Sequence, residues 1–214
     1  MNLVDVLLNT DHQSGVANQL YGVMVGVVTN NQDPEGLGRV KVRFPWLSNE
    51  DENGWARIAA PMAGKERGMY FLPEVEDEVL VAFEHGDVRF PYVLGALWNG
   101  QDAPPAKNDN GKNNLRVIKS RSGHLIRLND EDGKETIEIV DKQKNSIVFD
   151  TANNTITITT SKDITLAAAQ GTIKLEAQKI EIKSSAETKI EAGAGLDLKA
   201  SATMNIKGAT VNIN

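Results

Sequence analysis

Three observations predict an all-β chain in two parts, a small closed barrel followed by a rod of stacked short strands. Short runs of alternating apolar and polar residues fill the first hundred positions, and an apolar-polar-apolar triplet returns about every eight residues from Ile156 to Ile213. Composition changes between the two parts: all seven prolines lie at or before Pro105, and ten of the eleven aromatics precede residue 100, leaving Phe149. The whole chain of 214 residues is 40% apolar, enough to bury a core. A net charge of −6 argues against a partner held by phosphate neutralisation, and the absence of cysteine excludes thiol chemistry.

The elements follow in chain order. Leu3, Val4, Leu7 and Leu8 fall at helical spacing, which suits a short amphipathic segment that docks on the barrel or on a partner. The same start, "MNLVDVLLNT", lacks the basic flank and apolar run of a signal peptide, and no stretch approaches the ~20 residues of a membrane span, so synthesis in the cytoplasm is expected. Five β-rich runs come next: Tyr21 to Thr29, Gly38 to Trp46, Trp55 to Pro61, Asp77 to Asp87 and Pro91 to Gly100, with turn signals such as "NNQDPEGLG" between them. In the second run Val40, Val42 and Phe44 alternate with Arg39, Lys41 and Arg43, so one face is apolar and the other basic. Five short strands in about 80 residues suit an OB-type barrel, because closure removes exposed edges. "NGQDAPPAKNDNGKNN" then reads as a polar linker.

The repeat has its first apolar position at Ile156, Ile164, Ile173, Ile180, Thr188, Leu196, Met204 and Val211. The second lies two residues on, at Ile158, Leu166, Leu175, Ile182, Ile190, Leu198, Ile206 and Ile213. Period two within each unit makes a very short strand with one apolar face, which no unit can bury alone. The middle position runs Lys174, Glu181, Lys189, Asp197, and the residue after each pair runs Glu176, Lys183, Glu191, Lys199. Opposite signs therefore meet if consecutive units are neighbouring strands. Either one chain coils with three units per turn, or three chains wind together.

Candidate chemistry is thin. His12, His85 and His124 are too scattered for a ligand set, so no metal or other cofactor is expected. The carboxylates of "EVEDE" (Glu74 to Glu78) and "NDEDG" (Asn129 to Gly133) are adjacent on turns, where a glycosidase wants two acids across a cleft. Gly193 and Gly195 match no full phosphate loop. Arg39, Lys41 and Arg43 lack interleaved stacking aromatics, so nucleic acid is not expected as a partner.

Three ordered stretches, "GLGRVKVRFPW" (Gly36 to Trp46), "WARIAAPMAGKERGMYFLPEVEDEVLVAFEHGDVRFPYVLGALWNG" (Trp55 to Gly100) and "IKSRSGHLIRLNDEDG" (Ile118 to Gly133), followed by the repeat, resemble the phage baseplate assembly protein V and VgrG spike family. The resemblance runs from about residue 20 to 214. It implies an OB-fold barrel followed by a trimeric intertwined β-helix, an octad-repeat needle. The division it implies is a hub-docking segment 1–20, the barrel 21–100, a linker 101–114 and a β-helical spike 115–214.

A non-enzymatic central spike of a contractile injection machine follows from that resemblance: a homotrimer that links a baseplate hub to a tip and pierces the target envelope, with transient contact to the target membrane. The trimer core would be Ile156, Ile158, Ile164, Leu166, Ile173, Leu175, Ile180, Ile182, Ile190, Leu196, Leu198, Met204 and Ile206. Leu3, Val4, Leu7 and Leu8 would contact a separate hub protein, since only about 20 residues precede the barrel where VgrG-like proteins carry a hub region. Thr210, Val211, Asn212, Ile213 and Asn214 would form a platform for a PAAR-repeat tip protein, because the pattern runs to the last residue and the family's His-x-His tip is missing after Asn205. The competing reading is a β-helical carbohydrate-binding or depolymerising tail protein, which would need exposed aromatics on the shaft. Residues 151 to 214 contain none.

Overall fold

The computed structural model describes residues 19–45 and 54–213, so Leu3, Val4, Leu7, Leu8, His12, Trp46 and Asn214 lie outside the described residues. Twelve strands occur among the described residues, and the only helical element there is a single 3-10 turn at Glu84–Gly86. The chain divides into two compact units, the first up to Ser161 and the second from Lys162.

The first unit opens with the barrel. Its main strands are β1 (Val23–Asn30), β2 (Lys41–Arg43), β3 (Arg57–Ile58), β6 (Glu78–Phe83) and β7 (Pro91–Ala96), hydrogen-bonded in the order β2-β1-β6-β7-β3. All pairs are antiparallel except β3 with β7. A bridge between Val40 and Ala56, with N–H···O distances of 3.1 and 2.7 Å in the two directions, joins the outer strands and closes the sheet. That strand order, with one parallel pair and this closure, is the OB topology expected from the sequence. Each of the five anticipated runs contributes one strand.

The alternation in β2 sorts its side chains as expected. Val40, Val42 and Phe44 are buried with Val28, Ala56, Val79, Val81, Phe83 and Val93, and the rings of Phe44 and Phe83 pack 5.4 Å apart. So narrow a barrel takes valines in most core positions. Its tightest point is Gly26 in β1, where a Cβ would lie 2.3 Å from Cγ1 of Val42. A small hairpin of β4 (Ala63–Gly64) and β5 (Arg67–Gly68) lies outside the barrel sheet and has no counterpart in the sequence reading.

A second sheet in the same unit is an antiparallel meander of five five-residue strands: β8 (Leu115–Lys119), β9 (Leu125–Asn129), β10 (Thr136–Val140), β11 (Ser146–Asp150) and β12 (Thr155–Thr159). Its tight turns are built by side chains that cap their own backbone. Asp141 accepts from the amides of Gln143 and Asn145 at 2.8 and 2.9 Å, and Asp150 accepts from Asn153 N–H at 3.0 Å. The compact units thus part at residue 161, whereas the sequence reading sets its linker at 101–114 and starts the rod at 115. The physical reason is that residues 115–159 satisfy their backbone within one chain as hairpins. Arg121 in the first of those hairpins also pairs with Glu74 of the barrel at 2.9 Å.

Among the described residues of the second unit there is no strand, and its side chains are exposed throughout.

Candidate functional site

The feature that sets this chain apart from a self-sufficient domain is an uncovered apolar surface on each of its two units. In the meander, register fixes which side chains share a face. Ile118 faces Ile126, Ile126 faces Ile139, Ile139 faces Ile147, and Ile147 faces Ile158. A second row runs from Leu128 through Ile137 and Phe149 to Ile156. These nine side chains form one continuous apolar face, yet their exposure runs from 37% at Ile147 to 66% at Ile156. The opposite face is mixed and half-buried, with Arg127, Thr136, Glu138 and Asp150 beside Leu125, Val140 and Val148. Arg127 and Glu138 form an ion pair there, and Thr136 donates to Glu138 at 3.1 Å. A monomeric sheet buries its apolar side and wets its polar side. This one leaves its more apolar face the more exposed, and large exposed apolar patches of this kind mark association surfaces.

The first apolar pair of the repeat, Ile156 and Ile158, lies in the last strand of that face. Beyond it, Ile164, Leu166, Ile173, Leu175, Ile180, Ile182, Ile190, Leu196, Leu198, Met204 and Ile206 are all exposed, as are Val211 and Ile213. In the units beyond Ile158 that carry two large apolar residues the second is the more exposed, reaching 85% at Ile213. Thr210 and Asn212 are exposed beside them. None of these predicted core and tip residues finds cover within its own chain.

Two of the three basic side chains in and beside β2, Arg39 and Lys41, are engaged by the protein itself. Asp33 accepts from Arg39 Nε and Nη2 at 2.9 and 2.8 Å and from the amides of Glu35 and Leu37 at 3.1 and 3.0 Å. Gly36 and Gly38 sit at φ +67° and +69°, left-handed values that bend the loop around the carboxylate. The guanidinium of Arg39 holds the Asp33 carboxyl far below the usual carboxylate range. Arg39 and Lys41 also lie 5.9 and 5.7 Å from the Trp55 ring. This cluster braces a loop.

The acidic stretches have the same character. Glu74 pairs with Arg121, Asp77 accepts from the Glu74 amide at 2.8 Å, and Glu131 pairs with Lys134 at 2.7 Å. They cap turns and join sheets. Among the described residues no group of three metal-ligating side chains converges, and no helix is long and apolar enough to cross a membrane.

The sequence reading missed the meander's share of the apolar surface. The signal was present: the repeat's triplet already occurs at Ile126/Leu128, Ile137/Ile139 and Ile147/Phe149, spaced by turn-forming residues.

Comparison with known proteins places this architecture. Residues 24–98, which hold all five barrel strands, match the family described as the type VI secretion system/phage-baseplate injector OB domain. The type VI secretion system spike protein VgrG3 of Vibrio cholerae is 32% identical over 131 residues, which is 56% of this chain and 13% of that protein. VgrG1a of Pseudomonas aeruginosa, also a type VI secretion system spike protein, is 30% identical over 128 residues, 55% of this chain and 20% of its own. The actin cross-linking toxin VgrG1 of Vibrio cholerae is 32% identical over 95 residues, 9% of its length. The chain thus spans a fifth or less of the curated relatives it matches here. Residues 24–98 match the injector OB domain of type VI secretion systems and phage baseplates, within a chain that is similar to VgrG spike proteins over 55–56% of its length.

Proposed function

We propose that this chain is the structural, non-enzymatic central spike of a contractile injection machine and that it works as a homotrimer. The observation that carries the reading is the uncovered apolar face of the meander together with the exposed apolar pairs that continue it. Three copies related by a three-fold axis cover one another's faces without leaving an open edge. The octads then wind as an intertwined β-helix, whose narrow lumen suits two aliphatic residues per unit and no aromatics. The working division is a hub-docking segment 1–20, the barrel 21–100, a linker 101–114 and the spike 115–214.

A shaft of this kind transmits force and needs stiffness more than chemistry. Sheath contraction drives it through the target envelope, with passing contact with the membrane. A baseplate hub protein binds through Leu3, Val4, Leu7 and Leu8, and a PAAR-repeat tip protein binds on Thr210 to Asn214. The VgrG names of the relatives support this assignment. Native mass is the test. Three chains of 23.3 kDa give a particle of about 70 kDa. A stable folded monomer overturns the proposal.

A further inference from the structure

We propose that the outward charges of the repeat set the stagger between copies of the chain, so that each unit of one copy lies against the next unit of its neighbour. The inference rests on the reading of the chain as a self-associating shaft and adds what fixes its register. The apolar pattern cannot do this alone. Every unit offers nearly the same pair of aliphatic side chains, so a slip by one whole unit buries the same kind of core. A second, position-dependent pattern must choose between such alignments.

That pattern lies in the polar positions between and beside the apolar pairs. Lys174 pairs with Glu176 and Lys189 with Glu191, each at 2.6 Å, and Lys179 pairs with Glu181. These contacts between residues two apart bring neighbouring polar positions of three units together, as side chains on one face of an extended segment would be. Four successive units then read Thr172-Lys174-Glu176, Lys179-Glu181-Lys183, Glu187-Lys189-Glu191 and Gly195-Asp197-Lys199.

Laying each unit on the following one brings Lys174 to Glu181 and Glu176 to Lys183. The next step brings Lys179 to Glu187, Glu181 to Lys189 and Lys183 to Glu191. The last brings Lys189 to Asp197 and Glu191 to Lys199. All seven facing pairs are opposite in sign, and the one like pair comes further on, between Lys199 and Lys207. A slip of one unit leaves two attractive pairs, Asp163 with Lys179 and Glu191 with Lys207, against four like ones. Lys174 meets Lys189, Glu176 meets Glu191, Glu181 meets Asp197 and Lys183 meets Lys199. A single chain coiling with three units per turn lays each unit on the third one along. It matches Lys174 with Asp197 and Glu176 with Lys199, but sets Asp163 against Glu187 and Lys183 against Lys207. The charges therefore favour contact between consecutive units. Among the described residues no strand follows β12, so one chain does not pair those units itself. The occupant that fits each unit's edge is a second copy of this chain, one unit out of step.

The flanking units are matched without charge. Thr157 would face Thr165 at the start of the repeat, and Asn205 would face Asn212 near its end. Neighbouring strands lie about 4.8 Å apart, within disulfide reach, and the chain has no cysteine to interfere. The test uses the full-length chain with Thr157→Cys and Thr165→Cys. Oxidation should yield a covalent trimer on a non-reducing gel, and neither single substitution should.

Adding Lys179→Glu, Glu181→Lys and Lys183→Glu turns five of the seven pairs into like charges. It should cut the covalent trimer about tenfold at low salt. Reversing the signs in all four charged units restores every pair and should restore the crosslink. A three-charge reversal that crosslinks as well as its parent, or a full reversal that fails to recover, overturns the stagger. So does a parent of trimeric native mass that does not crosslink between these positions, although self-association then stands. A monomeric parent refutes self-association itself.

Discussion

Asp33 shows how one residue holds a loop that the barrel needs. Its side chain is only 3% exposed, and its carboxylate receives two nitrogens of Arg39 and a fan of backbone amides, so the loop between β1 and β2 closes on a single anion. Its folded pKa is depressed, first by the hydrogen bonds from Arg39. The stability it contributes is therefore fully present above the ordinary carboxylate value of about 4 and is lost as pH falls toward the much lower folded value. Asp87 behaves alike, held at about 2 by Arg89. Asp33→Asn should lower the melting temperature at pH 7, and its deficit against the native chain should narrow at pH 2, where the carboxyl of the unfolded chain is protonated. A deficit equal at both pH values would show that ionised Asp33 contributes nothing. The basic side of β2 was legible as a pattern, but its use was not. Sequence places Asp33 and Arg39 six positions apart and does not say that the loop folds the one onto the other.

Among the elements, β1 and β2 show what alternation reveals and what it omits. Val40, Val42 and Phe44 are readable as inward because a strand turns successive side chains to opposite faces. That Gly26 exists to admit Val42 is invisible until the two strands cross. Gly26→Ala should cost about 2 kcal/mol by overpacking. Combined with Val42→Ala it should cost less than the two single changes added together, since the smaller side chain vacates the space. Urea unfolding followed by tryptophan fluorescence measures both, and simple additivity would remove the steric explanation. The meander carries the same lesson. Its strands alternate as clearly as those of the barrel, yet the sequence reading joined residues 115–159 to the octads. Hairpin formation depends on caps such as Asp141 and Asp150, whose effect appears only when the turn closes.

For the whole molecule, the question is what the exposed apolar surface meets at each end of the proposed spike. Val211 and Ile213 are exposed, at 47% and 85%, with uncharged neighbours. In the proposed spike this apolar pair would accept a partner by edge addition and apolar contact. Val211→Asp with Ile213→Asp should release a co-purifying tip protein while native mass stays near three chains, and a tip retained by that variant removes the platform. At the other end, deleting residues 1–10 should leave the oligomer intact and prevent its incorporation into particles. Unchanged incorporation would assign the hub contact to the barrel.

By itself the sequence determined the all-β class, the inward side of β2, the length of the repeat and the signs of its charges. Each of these follows from side-chain period along one chain, which is a local property. Tertiary structure decided the rest: closure of the barrel through Val40 and Ala56, capture of Arg39 by Asp33, and the folding of residues 115–159 into one sheet with its apolar face outward. Those outcomes depend on pairings between segments far apart in the chain. Side-chain period says that a face must be covered, and only the pairing of strands shows that this chain leaves it bare.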